Sequence, residues 1–330
     1  MPSTVKKEYC SNRKCACSKP LRVGVFCGGR SSERKISLMS GRAVRRALRT
    51  KGFPVLMIDP ADPAEMARRL RRIEVAFLAL HGHGGEDGVI QRFLEERRVP
   101  YVGSDARGSL NAFDKLRSKR LFMKSGIPTA PFVVVRIADW RRKLSRFKPP
   151  YFVKPPLEGS SIGVFEVEDF DRSTEKIREA LLQYGKLLIE QKIDGREFTV
   201  GVLEGTALPP IELLPKRSFY DFRAKYTKGM TDYCVPARIS KALWKHLQAM
   251  ALRVHRCLGL RDLSRTDIMV DRRGRPYVLE SNSIPGFTQF SLLPKAAKVA
   301  GISFEDLCGL LVEWAYTRRT ENEAWPKRKK

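Results

Sequence analysis

From Leu21 onward the chain alternates short apolar runs with stretches of helical spacing. Leu21 to Cys27 is apolar and β-leaning, Gly28-Gly29 breaks it, and Leu38 to Leu48 carries apolar residues three and four positions apart, as one face of a helix requires. Val55 to Ile58 and Val75 to Leu80 are further apolar runs, separated by the helical stretch Pro63 to Arg72. Strand, helix and strand in this order predict parallel βαβ construction. The loop Gly82 to Gly88 then falls at a strand's carboxyl end, the side on which such sheets bind ligands.

The middle third predicts α+β layering. It has a helix over Asp114 to Ser125, strands at Phe132 to Val135, Tyr151 to Lys154 and Leu187 to Gln191, and a helix over Thr174 to Tyr184. In the last third a strand at Glu197 to Leu203 precedes a polar loop from Arg217 to Tyr233. A helix follows, with Leu243, Leu247, Met250, Val254 and Leu258 on one stripe. Thr266 to Val270 and Pro276 to Leu279 flank the turn-forming Asp271-Arg272-Arg273-Gly274 as a hairpin, and a helix over Phe304 to Ala315 closes the fold. No internal repeat is visible. The fold class is α/β with an α+β centre, divided as a basic extension over 1–20, an N-terminal α/β unit over 21–103, a central unit over 104–190 and a C-terminal unit over 191–330.

Composition changes this picture in two respects. The 63 Lys plus Arg against 36 Asp plus Glu give a formal charge of +27, of which residues 1–20 and 325–330 supply +8. The rest is spread over the body, as in Arg68-Arg69-Leu70-Arg71-Arg72, without the aromatic interleaving or module of a specific nucleic-acid binder. It reads as a solvated basic surface. The seven cysteines follow no disulfide framework, which suits reduced thiols in a cytoplasm. No apolar run approaches the ~20 residues of a membrane span, so membrane insertion is not expected.

Three segments carry candidate chemistry. Asp267 and Glu280 lie on the two hairpin strands with Asn282 two residues on. On one face they would offer the hard oxygens that Mg²⁺ prefers, although a strand end with scattered acids accounts equally well for them. Pro285-Gly286 allows close backbone approach and an N–H aimed at a developing oxyanion, with Arg265 as its charged partner; alone it is a turn. Glu158-Gly159-Ser160-Ser161-Ile162-Gly163 follows the strand ending at Lys154. Its small residues could fold over phosphates beside Lys154 and Lys115, but it lacks the Gly-Lys-Ser/Thr of a Walker loop.

Taken in order, these segments resemble the D-alanine:D-alanine ligases of the ATP-grasp superfamily. The resembling motifs begin with Gly28 to Arg34, His81 to Gly88, Asp114-Lys115 and Glu158 to Gly163. They continue with Phe219 to Tyr226, Arg265-Thr266-Asp267 and Glu280 to Gly286. The resemblance implies a three-domain ATP-grasp architecture, with the N-terminal unit binding substrate and the other two clamping ATP. It also implies that Glu33 holds the first D-alanine ammonium and is itself linked to the hydroxyls of Ser160 and Tyr226, with His81 close by. Ser291 and Leu292 would take the second substrate's carboxylate. Lys115, Lys154, Ser161 and Lys225 would contact the phosphates, Glu190, Gln191 and Ile193 adenine, and Glu197 the ribose. Asp267, Glu280 and Asn282 would hold Mg²⁺ or Mn²⁺, and Arg265 and Gly286 would stabilise the oxyanion.

The implied reaction makes D-alanyl-D-alanine for peptidoglycan through an acyl phosphate, with ATP and D-alanine as ligands and a homodimer as an open assembly. A D-alanine:D-lactate ligase or another dipeptide ligase is the nearest alternative. Tyr226 argues for the dipeptide, because lactate-selective members generally lack it. A nucleotide-binding protein without turnover would not need Glu33, Arg265, Asp267, Glu280 and Asn282 together.

Overall fold

A parallel sheet begins where Val23 pairs with both Val55 and Val75. The computed structural model describes residues 20–215 and 230–324, with side chains through Arg318. In chain order come β1 (Val23–Phe26), α1 (Arg34–Thr50), β2 (Val55–Ile58), α2 (Pro63–Leu70), β3 (Val75–Leu78), α3 (Val89–Glu96) and β4 (Tyr101–Val102). The sheet order is β2-β1-β3-β4. Every residue of β1 and β3 is buried, because alternate side chains point to faces that are both covered. Val23 and Val25 pack with Val44 and Leu48 of α1, while Phe26 packs with Ile58, Ile90 and Leu94 on the other face. Gly28 ends β1 at φ +96°, and a Cβ there would lie 2.5 Å from Asp59 Oδ2. Only glycine fits this turn.

α4 (Ala106–Phe113) and α5 (Lys115–Lys124) follow. Asp114 separates them and accepts from the Leu116 and Arg117 N–H groups, an N-cap that fixes where α5 starts. Next are β5 (Phe132–Arg136), α6 (Trp140–Leu144), β6 (Tyr151–Lys154), β7 (Phe165–Val167), α7 (Phe170–Tyr184) and β8 (Lys186–Gln191). Their antiparallel sheet has the order β5-β8-β6-β7.

The third sheet comprises β9 (Gly195–Leu203), β10 (Thr206–Ala207), β11 (Ile211–Pro215), β12 (Thr231–Cys234), β13 (Leu263–Asp271) and β14 (Pro276–Asn282), with α8 (Lys241–Leu258) between β12 and β13. Its order is β12-β11-β9-β13-β14, antiparallel, with β10 beside β9. Leu247, Met250, Val254 and Leu258 of α8 pack against Phe198, Val200, Ile268 and Val278. Each such side chain contributes about 2 kcal/mol by leaving water. The chain ends with α9 (Leu292–Val299) and α10 (Phe304–Ala324).

The C-terminal helix returns to the first sheet, where Leu307, Leu311 and Ala315 join the cluster of Val23, Val25 and Val44. The polar loop expected up to Tyr233 is corrected at its end. Thr231–Cys234 is a strand paired with β11, held by backbone pairing that a polar sequence does not advertise. Among the described residues no helix is long and apolar enough to cross a membrane.

Candidate active site

Two cavities lie side by side, of about 770 Å³ and about 470 Å³, and Lys115 and Glu280 line both. The larger is walled by Glu33, His81, Ser160, Arg265, Gly286, Ser291 and Leu292. Lys154, Ser161, Glu190, Gln191, Ile193 and Glu197 line the smaller. Residues expected to contact the amino-acid substrates thus line one cavity and most of those expected to contact ATP line the other, with Lys115 in both. Lys225 and Tyr226 lie outside the described residues, as does the extension over 1–19.

Glu33 is the N-cap of α1 and is buried. Ser160 Oγ donates to its Oε1, and a Cβ at Gly82 or at Gly159 would lie 2.9 Å from its Oε2. One carboxylate therefore sits between two glycines that leave it room. The Gly82 N–H donates to Glu86 Oε2 at 2.8 Å, which brings a second carboxylate to the same wall. Burial, then the Glu33 charge, push Glu86 up to about 8. Sequence reasoning included Glu86 in a motif without assigning it a role. His81 Nε2 lies 3.2 Å from Ser40 Oγ, and burial, then the charge of Arg265, bring it down to about 4. It is a neutral imidazole at physiological pH.

β13 and β14 place the acidic residues. Asp267 pairs across the hairpin with Glu280 and Arg265 with Asn282, whereas Ile268 pairs with Val278, which leaves Leu279 bulged. Strict alternation from Val278 would turn Glu280 toward α8; the bulge restores it to the cavity side. Arg265 donates to both Asp267 oxygens at 3.1 and 2.9 Å, and Thr199 Oγ1 donates to Oδ1 at 2.6 Å. Among the described residues Asn282 Nδ2 is buried without a hydrogen-bond partner, and the residue lines the larger cavity. Among the described residues no group of three His, Cys, Asp or Glu side chains could hold a metal. Two carboxylates and an amide oxygen still suit Mg²⁺, which keeps water and phosphate oxygens in its shell.

Lys115 Nζ donates to the Glu158 carbonyl at 2.5 Å and lies 3.9 Å from Glu280 Oε2. Lys154 donates to Glu190 Oε2, and Lys119, which the sequence reading passed over, donates to Glu190 Oε1. Both oxygens of Glu190 thus face lysines. Gln191 Nε2 donates to the Pro150 carbonyl at 2.7 Å, turning that side chain toward the backbone. Ser291 is the N-cap residue of α9, and its Oγ accepts from the Thr288 N–H at 3.0 Å.

A parallel-sheet unit joined to two antiparallel sheets, with two charged cavities that share Lys115 and Glu280, is the arrangement of the class of ATP-grasp ligases. The sequence matches the family described as D-ala D-ala ligase C-terminus over residues 121–313 and D-ala D-ala ligase N-terminus over residues 59–104. It is 43% identical over 299 residues to the D-alanine--D-alanine ligase of Methylacidiphilum infernorum (isolate V4), covering 91% of this chain and 97% of that relative. Against the enzyme of the same name from Anaeromyxobacter sp. (strain Fw109-5) the identity is 42%, over 89% of this chain and 96% of the relative. The crystal structure of D-alanine--D-alanine ligase from Bacillus anthracis complexed with ATP superposes with a TM-score of 0.81 at 30% identity, covering 92% of this chain and 99% of that one. The chain belongs to the D-alanine--D-alanine ligase family.

Proposed function

We propose that this chain joins two D-alanine molecules into D-alanyl-D-alanine for peptidoglycan precursors, with ATP converted to ADP and phosphate. The observation that carries the reading is the meeting of the two cavities at Lys115 and Glu280. A carboxylate in the larger cavity and a γ-phosphate in the smaller would touch there. A reaction that consumes ATP suits the cytoplasm.

In this reading Glu33, fixed by Ser160, holds the ammonium of the first D-alanine and turns its carboxylate toward Lys115. A carboxylate oxygen bonds to the γ-phosphorus and the bond to ADP breaks, giving an acyl phosphate. The ammoniums of Lys115 and Lys154 offset the phosphate charge. Ser161 adds a donor to the phosphates, Glu190, Gln191 and Ile193 border adenine, and Glu197 holds the ribose. Asp267, Glu280 and Asn282 would hold Mg²⁺ or Mn²⁺, which supplies neutralisation of the phosphoryl oxygens.

The second D-alanine places its carboxylate at Ser291 and Leu292, where the N-terminus of α9 favours an anion. Its amine, having lost a proton, attacks the acyl carbonyl. Arg265 and the Gly286 N–H stabilise the tetrahedral oxyanion, each such donor being worth on the order of 3 kcal/mol. Phosphate then leaves. Lys225 and Tyr226 keep the roles that the resemblance implies.

The test is phosphate release from ATP with D-alanine, L-alanine, D-serine and D-lactate compared. D-Alanine should drive turnover and yield the dipeptide. ATP consumption indifferent to the amino acid, or D-lactate ester formed as fast as dipeptide, would contradict the reading.

A further inference from the structure

Lys119 is 1% exposed and lines neither cavity, yet it donates to Glu190 Oε1 while Lys154 donates to Glu190 Oε2. It follows Lys115 by one turn of α5 and also donates to Thr129 Oγ1. Thr129 in turn donates to the Val278 carbonyl of β14 at 2.7 Å, beside the Val278 N–H bond to Pro128 at 2.8 Å. Lys119 therefore braces Glu190 from behind and ties β8 to the hairpin that carries Glu280. Lys154, by contrast, stands in the cavity wall.

We propose that Lys119 is the permanent counter-ion of Glu190, a positioning residue that lets Lys154 leave Glu190 for the phosphates of ATP. A buried carboxylate stripped of its only cation is costly and takes up a proton instead. With two ammoniums on one carboxylate, Lys154 can swing to a triphosphate while Glu190 stays ionised and in place. Among the described residues, Glu280 of β14 and Glu197 of β9 also act on these lysines. Neither can substitute for a cation. Burial would raise Glu190, but Lys119 first and Lys154 second hold it below the usual carboxylate range. Burial draws Lys119 below the ordinary lysine range, opposed by Glu190.

The inference rests on nucleotide occupying the smaller cavity, and its test keeps the two apart. The KM for MgATP is measured between pH 7 and 9 in the full-length enzyme and in Lys119→Met, with the KM for D-alanine alongside. In the wild type the KM for ATP should be nearly flat. In Lys119→Met, Glu190 must gain a proton whenever Lys154 departs, so the KM for ATP should rise at least 10-fold across that range while that for D-alanine stays level. The double variant Lys119→Met/Glu190→Gln should lose the slope, and Lys154→Met should raise the KM without creating one, because Lys119 still serves Glu190. Lys154→Met is partly exposed and reports even if Lys119→Met does not fold. A flat profile in folded Lys119→Met, a slope that persists in the double variant, or a slope in Lys154→Met would overturn the role. Failure of the wild type to saturate with ATP would instead remove the nucleotide assignment.

Discussion

Asp267 and Glu280 face one another across the β13–β14 hairpin because Leu279 is bulged between them and the Ile268–Val278 pair. The bulge converts a strand whose Val278 side faces α8 into one whose next acid faces the cavities. Two carboxylates on one cavity wall repel each other unless a cation separates them. Arg265 meets this need at Asp267 and Lys115 at Glu280.

Glu280→Gln keeps the size and removes one charge. Phosphate release should fall on the order of 100-fold, as expected when a metal-holding charge is lost. The thermal midpoint should hold, since Glu280 is not a core residue, and higher Mn²⁺ should recover part of the rate. Unchanged turnover would remove Glu280 from the proposed metal set.

At Gly159 the backbone has no left-handed strain, and the atom an added methyl would meet is Glu33 Oε2 at 2.9 Å. The carboxylate is the end of a side chain and can yield, so Gly159→Ala should fold. Displacing Glu33 from Ser160 should raise the KM for the first D-alanine roughly 10-fold, the effect of losing about 1.4 kcal/mol of binding. The KM for ATP should not move. Steady-state kinetics with each substrate varied separately read both.

Burial brings His255 down to about 4, with Arg256 adding to the effect; its Nδ1 lies 2.7 Å from Ser264 Oγ. An unfolded histidine titrates near 6.5, so between these values the unfolded chain binds the extra proton. Stability therefore falls as pH falls through that window. Urea unfolding from pH 7 to 4.5 should show a loss about 2 kcal/mol smaller in His255→Asn than in the wild type. Equal losses in both would show that His255 is already charged in the fold.

Much of this arrangement is legible in the sequence, because periodicity and turn residues act locally. Leu247, Met250, Val254 and Leu258 of the α8 stripe are buried as their spacing predicts, with Leu243 half-buried at its start. The βαβ order of the first unit appears as a parallel sheet. What stays hidden is set by distant partners. α1 starts at Arg34 rather than Leu38, a first turn whose Arg34, Lys35 and Ser37 add little to the apolar period, while the partner of Glu33, Ser160, lies 127 residues away. α3 and α4 are too short to show a period, and α10 runs past Ala315 to Ala324. Lys119 reads as a solvent-facing lysine, since nothing in its neighbourhood of sequence announces a buried carboxylate on β8. The bulge at Leu279 is likewise invisible, and it decides which way Glu280 points.

In the proposed reaction a substrate carboxylate oxygen bonds to the γ-phosphorus, and isotope transfer tests that bond most directly. With D-alanine labelled by ¹⁸O in both carboxylate oxygens, the phosphate released per dipeptide should carry one ¹⁸O, read by the isotope shift in ³¹P NMR. That oxygen can reach phosphate only through a carboxylate–phosphorus bond. Dipeptide formed with unlabelled phosphate would contradict the account.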